Sequence, residues 1–430
     1  MVLHRRPTRQ LAATALCVAA LLFIGAETLV PRPEKAALVA QTPILCLVCG
    51  DLGMLDVLLN ILLFVPLGAG LVFRGLSWRR AMLLGAALSL AIEVTQYFAI
   101  PGRDASLSDL LTNTTGTLVG SLLALSWRAW IRPAPAVARR FAFGAAIAWL
   151  SQVTITGAAV KPTLPSSVYW GQRAADLGQF DTFPGKVLHA WVGELSLPGH
   201  RLANSQAVRH ELLSGEPLKA VAVPAALTEG LAPVVSIFDG QQREIAVLGQ
   251  WKQDLVFRLR SRAIDLKLRP PAVRLASVFS PNPGDTLTLS GAVRSGRFVV
   301  DASGPAGHAA RVLRLSAQWG WSLLLPFDYA FGPEVEWISA LWLICWLLPI
   351  GFWIRGSGVR LTFATPLAIG LLALGLTAIP ALFQQSGSLG EWGAGLAGIA
   401  AGWWWGGATR MPSRPGVRTR GPIEAGVRDL

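Results

Sequence analysis

The chain has 430 residues, with Lys+Arg 38 against Asp+Glu 25 and a net charge of +13. Apolar residues make up 52%, charged residues 15%, and mean hydropathy is +0.48, whereas a soluble globular domain carries about 25% charge. That deficit excludes a single water-soluble domain, a disordered chain and a coiled coil, and four cysteines exclude a disulfide-rich scaffold.

Taken in chain order, apolar runs predict eight spans, near 11–30, 55–74, 81–100, 108–127, 141–157, 335–354, 361–383 and 389–408. Each approaches the roughly 20 residues that cross about 30 Å of hydrocarbon. The first is read as a retained span, because Ile24-Gly25-Ala26 lacks the first small residue of an A-x-A cleavage site. Cations gather in alternate loops: Arg5, Arg6 and Arg9; Arg74, Arg79 and Arg80; Arg128, Arg132, Arg139 and Arg140; Arg355 and Arg360; then Arg410, Arg414, Arg418, Arg420 and Arg428. The two short opposite loops hold Arg32, Lys35 and Arg103. Lys and Arg near span ends stay cytoplasmic. The expectation is a multi-pass protein of the inner (plasma) membrane with both termini cytoplasmic. Topology then explains much of the positive charge, and no nucleic-acid partner is expected.

Between the fifth and sixth spans, residues 158–332 lack long apolar runs and lie outside by the parity of the spans. Runs such as Val187–Val192, Leu255–Arg260, Thr286–Leu289, Arg297–Val300 and Arg311–Leu315 alternate apolar and polar residues between Gly, Pro and Asp punctuation. They predict an extracytoplasmic all-β sandwich or jelly roll.

The last three spans echo the second to fourth. Phe64-Val65-Pro66-Leu67-Gly68 matches Leu347-Leu348-Pro349-Ile350-Gly351 at an offset of 283. Ser106-Leu107-Ser108-Asp109 matches Ser388-Leu389-Gly390-Glu391 at 282, as Gly116 and Gly120 match Gly398 and Gly402. The fold class is therefore a polytopic α-helical membrane protein of about eight spans in two four-span halves, carrying the β-sandwich. The division expected is a first helical half at 1–135, the fifth span at 136–157, the sandwich at 158–332, a degenerate repeat at 333–408 and an Arg-rich cytoplasmic tail at 409–430. Polar residues are not repeated equally: Asp56 maps to Ser339, Asn60 to Leu343 and Asn113 to Gly395, while Asp109 alone keeps an acid. The first half is the expected site and the second its scaffold.

In that half, Asp56 and Asn60, Glu93 and Gln96, and Asp109 and Asn113 form pairs three or four residues apart near the outer span ends, with Arg103 in the outer loop. Such spacing puts each pair on one helix face, and Gly116 and Gly120 let a neighbouring helix approach. Ionisable groups at membrane depth are costly and mark functional sites by default. The constellation reads as an outer-leaflet polar pocket, with Arg103 able to contact a carboxylate or an anionic headgroup. The bland alternative is interhelical bonding, with Asp109 capping its helix.

Asp56-x-x-x-Asn60, Pro66-Leu67-Gly68, Ile92-Glu93-x-x-Gln96-x-Phe98, Arg103, and Ser108-Asp109-Leu110-x-x-Asn113-x-x-Gly116-x-x-x-Gly120 resemble the VanZ-like membrane family across about 50–125. The resemblance implies a membrane protein whose polar set falls on Asp56, Asn60, Glu93, Gln96, Arg103, Asp109 and Asn113, and whose helix packing uses Pro66, Gly68, Gly116 and Gly120. The outer region resembles concanavalin-like (laminin-G-type) sandwiches at Ala190-Trp191-Val192, Val235-Ser236-Ile237-Phe238 and Leu255–Arg260, which implies carbohydrate binding.

The function expected is a cell-envelope membrane protein that binds or handles a membrane lipid or lipid-linked glycan at the outer leaflet. One rival is an enzyme with Glu93 and Asp109 as acid and base on a headgroup or lipid-linked sugar; another is a transporter. Cys46-Leu47-Val48-Cys49 is read as buried thiols or a small disulfide rather than a redox centre. Asp239 and Asp254 are read as turn residues. His4, His189, His200, His210 and His308 are scattered, so no metal and no cofactor are expected. Trp403-Trp404-Trp405 reads as interfacial anchoring.

Overall fold

The computed structural model describes residues 5–31, 45–103, 105–174, 176–177, 180–280 and 284–408. Arg32, Lys35 and the tail 409–430 with its five arginines lie outside the described residues.

The longer helices are α1 (Arg5–Thr28), α2 (Gly53–Phe73), α3 (Trp78–Ala99), α4 (Leu107–Leu125), α5 (Pro135–Ala159), α6 (Ser205–Ser214), α7 (Val335–Gly356), α8 (Leu361–Ala381, with a π-turn at Leu374–Ala378) and α9 (Leu389–Ala408). Among the described residues, α1, α2, α3, α5, α7 and α8 are long and apolar enough to cross a membrane. With two antiparallel sheets, they make this a multi-pass membrane protein with a β domain. Helices α4 and α9 have 19 and 20 residues, but Ser, Thr and Asn on α4 and Gly on α9 lower their hydropathy. The polar side of α4, including Thr112, Asn113, Thr117 and Ser121, is buried against its neighbours. Helix α5 starts six residues before the expected 141, because Pro135 sits at its first turn, where a missing N–H costs nothing.

Two helical units repeat one set of contacts. A Cβ on Gly68, Gly116 or Gly120 would stand 2.0–2.2 Å from the carbonyl oxygens of Thr117, Ile61 and Val65. On Gly351 and Gly402 it would stand 2.1 and 1.9 Å from the oxygens of Ile399 and Leu348, and on Gly398 it would meet Ile344. Each partner lies 282 or 283 residues after its counterpart. Helices α2 and α4 thus cross with backbones in contact, as α7 and α9 do, which only glycine permits. Gly75 ends α2 at φ +99° and Gly358 ends α7 at φ +78°, both left-handed C-caps. Ser106 accepts from the Asp109 amide at 3.0 Å, and Ser388 from the Glu391 amide at 3.1 Å.

Between α5 and α7 come β1 (Tyr169–Arg173), β2 (Gly185–Val192), β3 (Leu195–Ser196), β4 (Leu218–Pro224), β5 (Leu231–Asp239), β6 (Glu244–Trp251), β7 (Asp254–Leu259), β8 (Ala272–Leu275), β9 (Leu287–Arg294), β10 (Arg297–Gly304) and β11 (Gly307–Arg314). They form antiparallel sheets of order β1-β5-β6-β7-β8 and β11-β10-β9-β4-β2-β3. Inward apolar residues close the sandwich, alternating along β4 and nearly continuous along β5 and β6, with Phe257 and Phe298 edge-to-face at 6.1 Å. Asp239 is a turn residue, accepting the Gln241 and Arg243 amides at 2.9 and 3.0 Å. Asp254 accepts from Arg274 at 3.0 Å.

The core of the sandwich continues into the helical ends through Leu55, Ala159, Val160 and Val335. Residues 316–334 form the joint: Trp319–Leu324 is a 3-10 turn against α2, α5 and α7, and Phe331 pairs with the β8 edge. At the start of α7, Glu334 accepts from Arg274 at 2.9 Å, Tyr329 at 2.5 Å and the Gly332 amide at 3.2 Å. Burial works to raise the Glu334 carboxyl, but the Tyr329 and Arg274 bonds outweigh it and hold the group below its ordinary 4.5.

Candidate functional site

A cavity of about 820 Å³ opens where the first helical unit meets the β domain. Helix α1 contributes Phe23, Glu27 and Thr28; the loop before α2 contributes Cys49–Leu52; α2 contributes Leu55, Asp56, Leu59, Asn60, Leu62 and Leu63. Gln96 of α3, Arg103, Asp109 of α4, and Arg269 and Pro326 from the β domain complete the wall. The lining is amphipathic. Leucines and Phe23 supply its apolar lining, and Phe23 and Leu62 are both 57% exposed on the bundle surface. Glu27, Asp51, Asp56, Asp109, Arg103 and Arg269 supply its charged lining.

Local sequence explains each placement. Asp56 and Asn60 are one turn apart on α2, so both face the cavity. Asn60 Nδ2 donates to Asp109 Oδ1 at 2.7 Å, tying α2 to the first turn of α4, where the helix dipole favours an acid. Gln96 Nε2 donates to the Thr28 carbonyl at 2.8 Å, while its Oε1, in a side chain 6% exposed, has no hydrogen-bond partner among the described residues. Arg103 donates from Nε to the Val30 carbonyl at 3.0 Å and from Nη2 to the Glu27 carbonyl. It thereby satisfies the open carbonyls at the end of α1 as well as lining the cavity.

The β domain forms the roof. Lys267 Nζ donates to the Val48 carbonyl at 2.5 Å, and the Leu55 amide donates to the Lys267 carbonyl at 3.3 Å. Arg269 donates to the Leu325 carbonyl at 2.8 Å and pairs with Asp328. Burial pulls the Arg269 guanidinium below its ordinary value, against the charges of Asp328 and Asp56. Cys46 and Cys49 form a disulfide. Their loop is also held by Ser108, which donates to the Leu47 carbonyl at 2.8 Å.

The structure thus brings Asp56, Asn60, Gln96, Arg103 and Asp109 to one cavity. Glu93 and Asn113 stand outside its wall. Glu93, 8% exposed, accepts the Ser106 amide at 2.7 Å, and Asn113 donates to Ser89 at 3.0 Å. Both belong to the α3–α4 interface. Pro66 lies half-buried inside α2, one residue beyond Val65, whose carbonyl touches Gly120. Sequence reasoning missed Glu27, Asp51 and Arg269. Glu27 and Asp51 have no spacing partner, and Arg269 arrives through a distant fold. No group of three or more potential metal ligands occurs among the described residues.

Residues 12–128 match the VanZ/LLP1 family model. The VanZ-like match covers α1–α4, all the helices that line the cavity, and leaves out the β domain and the second helical unit. No curated protein and no solved structure matches the chain.

Proposed function

We propose that the VanZ-like unit holds an amphipathic envelope lipid or lipid-linked glycan, headgroup toward the β domain and chains toward Phe23 and Leu62. The observation that carries this is the mixed lining of the cavity: acids and arginines stand beside leucines and Phe23, and Phe23 and Leu62 are exposed on the bundle surface. Ionisable groups kept at membrane depth carry a standing cost, which ligand contacts offset. In this reading all eight long helices cross the membrane, both termini are cytoplasmic, and the sandwich lies outside, available to sugar or a protein partner. Arginine–tryptophan pairs support that orientation: Arg79 over Trp78, Arg128 over Trp127 and Arg355 over Trp403, at 5.0–5.7 Å, all fall at helix ends opposite the β domain, where positive loops belong.

The test is to purify the full chain in a detergent without sugar and identify retained lipid by mass spectrometry. One lipid class should co-purify with the wild type and be lost from D56N and R103A at unchanged membrane abundance. Retention by both variants, or no retained lipid in any sample, removes the proposal. An enzymatic role would appear as headgroup turnover in the same samples. The placement of Glu93 outside the wall leaves acid–base work there to Asp56 and Asp109. A transporter would carry its charged groups nearer the bilayer midplane.

A further inference from the structure

At the end away from the β domain, the first helical unit opens a second cavity, of about 670 Å³, within the roughly 300–1,000 Å³ of small-molecule sites. Its wall runs from Ala12 and Leu16 of α1 past Phe73, at the end of α2, to Leu125, at the end of α4, and closes with Trp127 and Arg128. Two contacts hold that wall in place. Arg74 donates to the Thr14 hydroxyl, fixing α1 against the end of α2. Phe73 and Trp127 meet edge-to-face at 6.4 Å, fixing α2 against the turn after α4. Phe73 and Leu125 are 45% and 54% exposed on the bundle surface, so the groove is open to acyl chains. The single charge in the lining is Arg128. Its guanidinium lies over the Trp127 ring at 5.7 Å and has no hydrogen bond or ion pair among the described residues. No acid is near in the chain: residues 1–26, 57–92 and 110–175 contain no Asp or Glu, whereas Arg74, Arg79, Arg80, Arg128, Arg132, Arg139 and Arg140 all fall within them.

We propose that this groove seats one anionic phospholipid from the leaflet opposite the β domain, with its phosphate on Arg128 and an acyl chain along Leu16, Phe73 and Leu125. Charge complementarity selects the headgroup. A planar guanidinium suits phosphate oxygens, and an arginine without a counter-ion, at an end of the molecule without acids, favours a net negative headgroup over a zwitterionic one. The apolar wall selects a lipid over a soluble anion, because its burial against a chain is favourable and a bare phosphate leaves it wet. Trp127 sets the depth, as indole rings gather at the headgroup level. The site is separate from the cavity beneath the β domain and does not depend on what that cavity holds.

The test titrates the full chain, stripped of lipid in lauryldimethylamine oxide, with phosphatidylglycerol and phosphatidylcholine of matched acyl chains, read by native mass spectrometry. Phosphatidylglycerol should fill one site about tenfold more tightly than phosphatidylcholine, a surface cation supplying about fivefold of that and its bonds to phosphate the rest. R128Q, at an exposed position, should cut the preference about fivefold. A12W, also from an exposed position, puts a ring in the groove and should abolish the tight site at an unchanged unfolding temperature. R80Q removes a cation from the same end but outside the groove and should leave the site intact. Equal binding of the two lipids overturns the proposal. So does an equal loss in R80Q and R128Q, which means diffuse surface charge. Full binding by A12W, or binding of glycerol phosphate as tight as that of the lipid, also overturns it and points to a soluble anion. R128Q and A12W lie outside the cavity beneath the β domain, so a lipid that they keep and D56N or R103A lose belongs to that other site.

Discussion

Asp109 and Glu391 hold the same position in two helical units whose glycine contacts, C-caps and serine N-caps coincide at offsets of 282 or 283, yet their surroundings are opposite. Asp109 faces a cavity roofed by Arg269; Glu391 is closed by Ser316 and Ser388. The backbone frame is common, so the difference lies in a few side chains. Asn60 becomes Leu343 and Asp56 becomes Ser339, whose hydroxyl accepts from the Trp321 indole at 3.0 Å. The second unit has the same glycine packing, and where the first has a cavity wall it has contacts with the joint of the β domain.

The harshest way to break this comparison is to attack the frame both units share. G120A and G402A each drive a methyl group into a carbonyl oxygen, at 2.0 and 1.9 Å, with backbone as the obstacle. Each should destabilise by about 3 kcal/mol, the upper end of ordinary overpacking. G144A, whose added methyl meets nothing within 4 Å, should be neutral or slightly stabilising through helix propensity. Thermal unfolding in detergent reads all three, and an unaffected G402A would sever the second unit from the first.

Next in size is an exchange of roles. E391Q weakens two bonds to a buried carboxylate and should cost about 1.5–3 kcal/mol of stability, the range for bonds to charged groups, with lipid retention unchanged. D109N should do the reverse, keeping stability within about 1 kcal/mol, because an amide oxygen still accepts from Asn60, while retention falls. If both variants lose stability and neither loses lipid, the two acids are equivalent and the cavity is only a gap.

A third test sharpens the contrast at the joint. The Glu334 carboxyl lies below 4.5 in the folded chain, so its contribution is complete above that value and disappears as pH falls through the lower folded value. Wild type should exceed E334Q by about 1–2 kcal/mol at pH 7, and the gap should close as the pH is lowered below 4. A constant gap would show that the site acts by packing rather than by charge.

Apolar run length makes the long helices legible in the sequence, and period-2 patterning makes β2, β7, β9, β10 and β11 legible, because both depend on near neighbours. Spacing of three and four also finds Asp56, Asn60, Gln96 and Asp109, which converge. It does not separate Glu93 and Asn113 from them, because a helical stripe about 100° wide contains both a cavity face and a helix-packing face. The roof was illegible for a different reason. Lys267 reaches Val48 across 219 residues, and nothing local in either segment encodes that meeting.

The smallest effect belongs to an acid partnered in the open. His308 on β11 pairs with Asp301 on β10, but His308 is 63% exposed and Asp301 31%. Water competes for both groups, and the strands are already joined by their ladder from Arg297↔Arg314 to Gly304↔Gly307. H308A should therefore change stability by about 0.5 kcal/mol or less and leave lipid retention untouched. The chemistry is that of Asp109 with Asn60 or Glu391 with Ser316: a carboxylate taking a donor. Only the exclusion of water differs, so an effect as large as that of E391Q would mean that burial is not what separates the site from the surface.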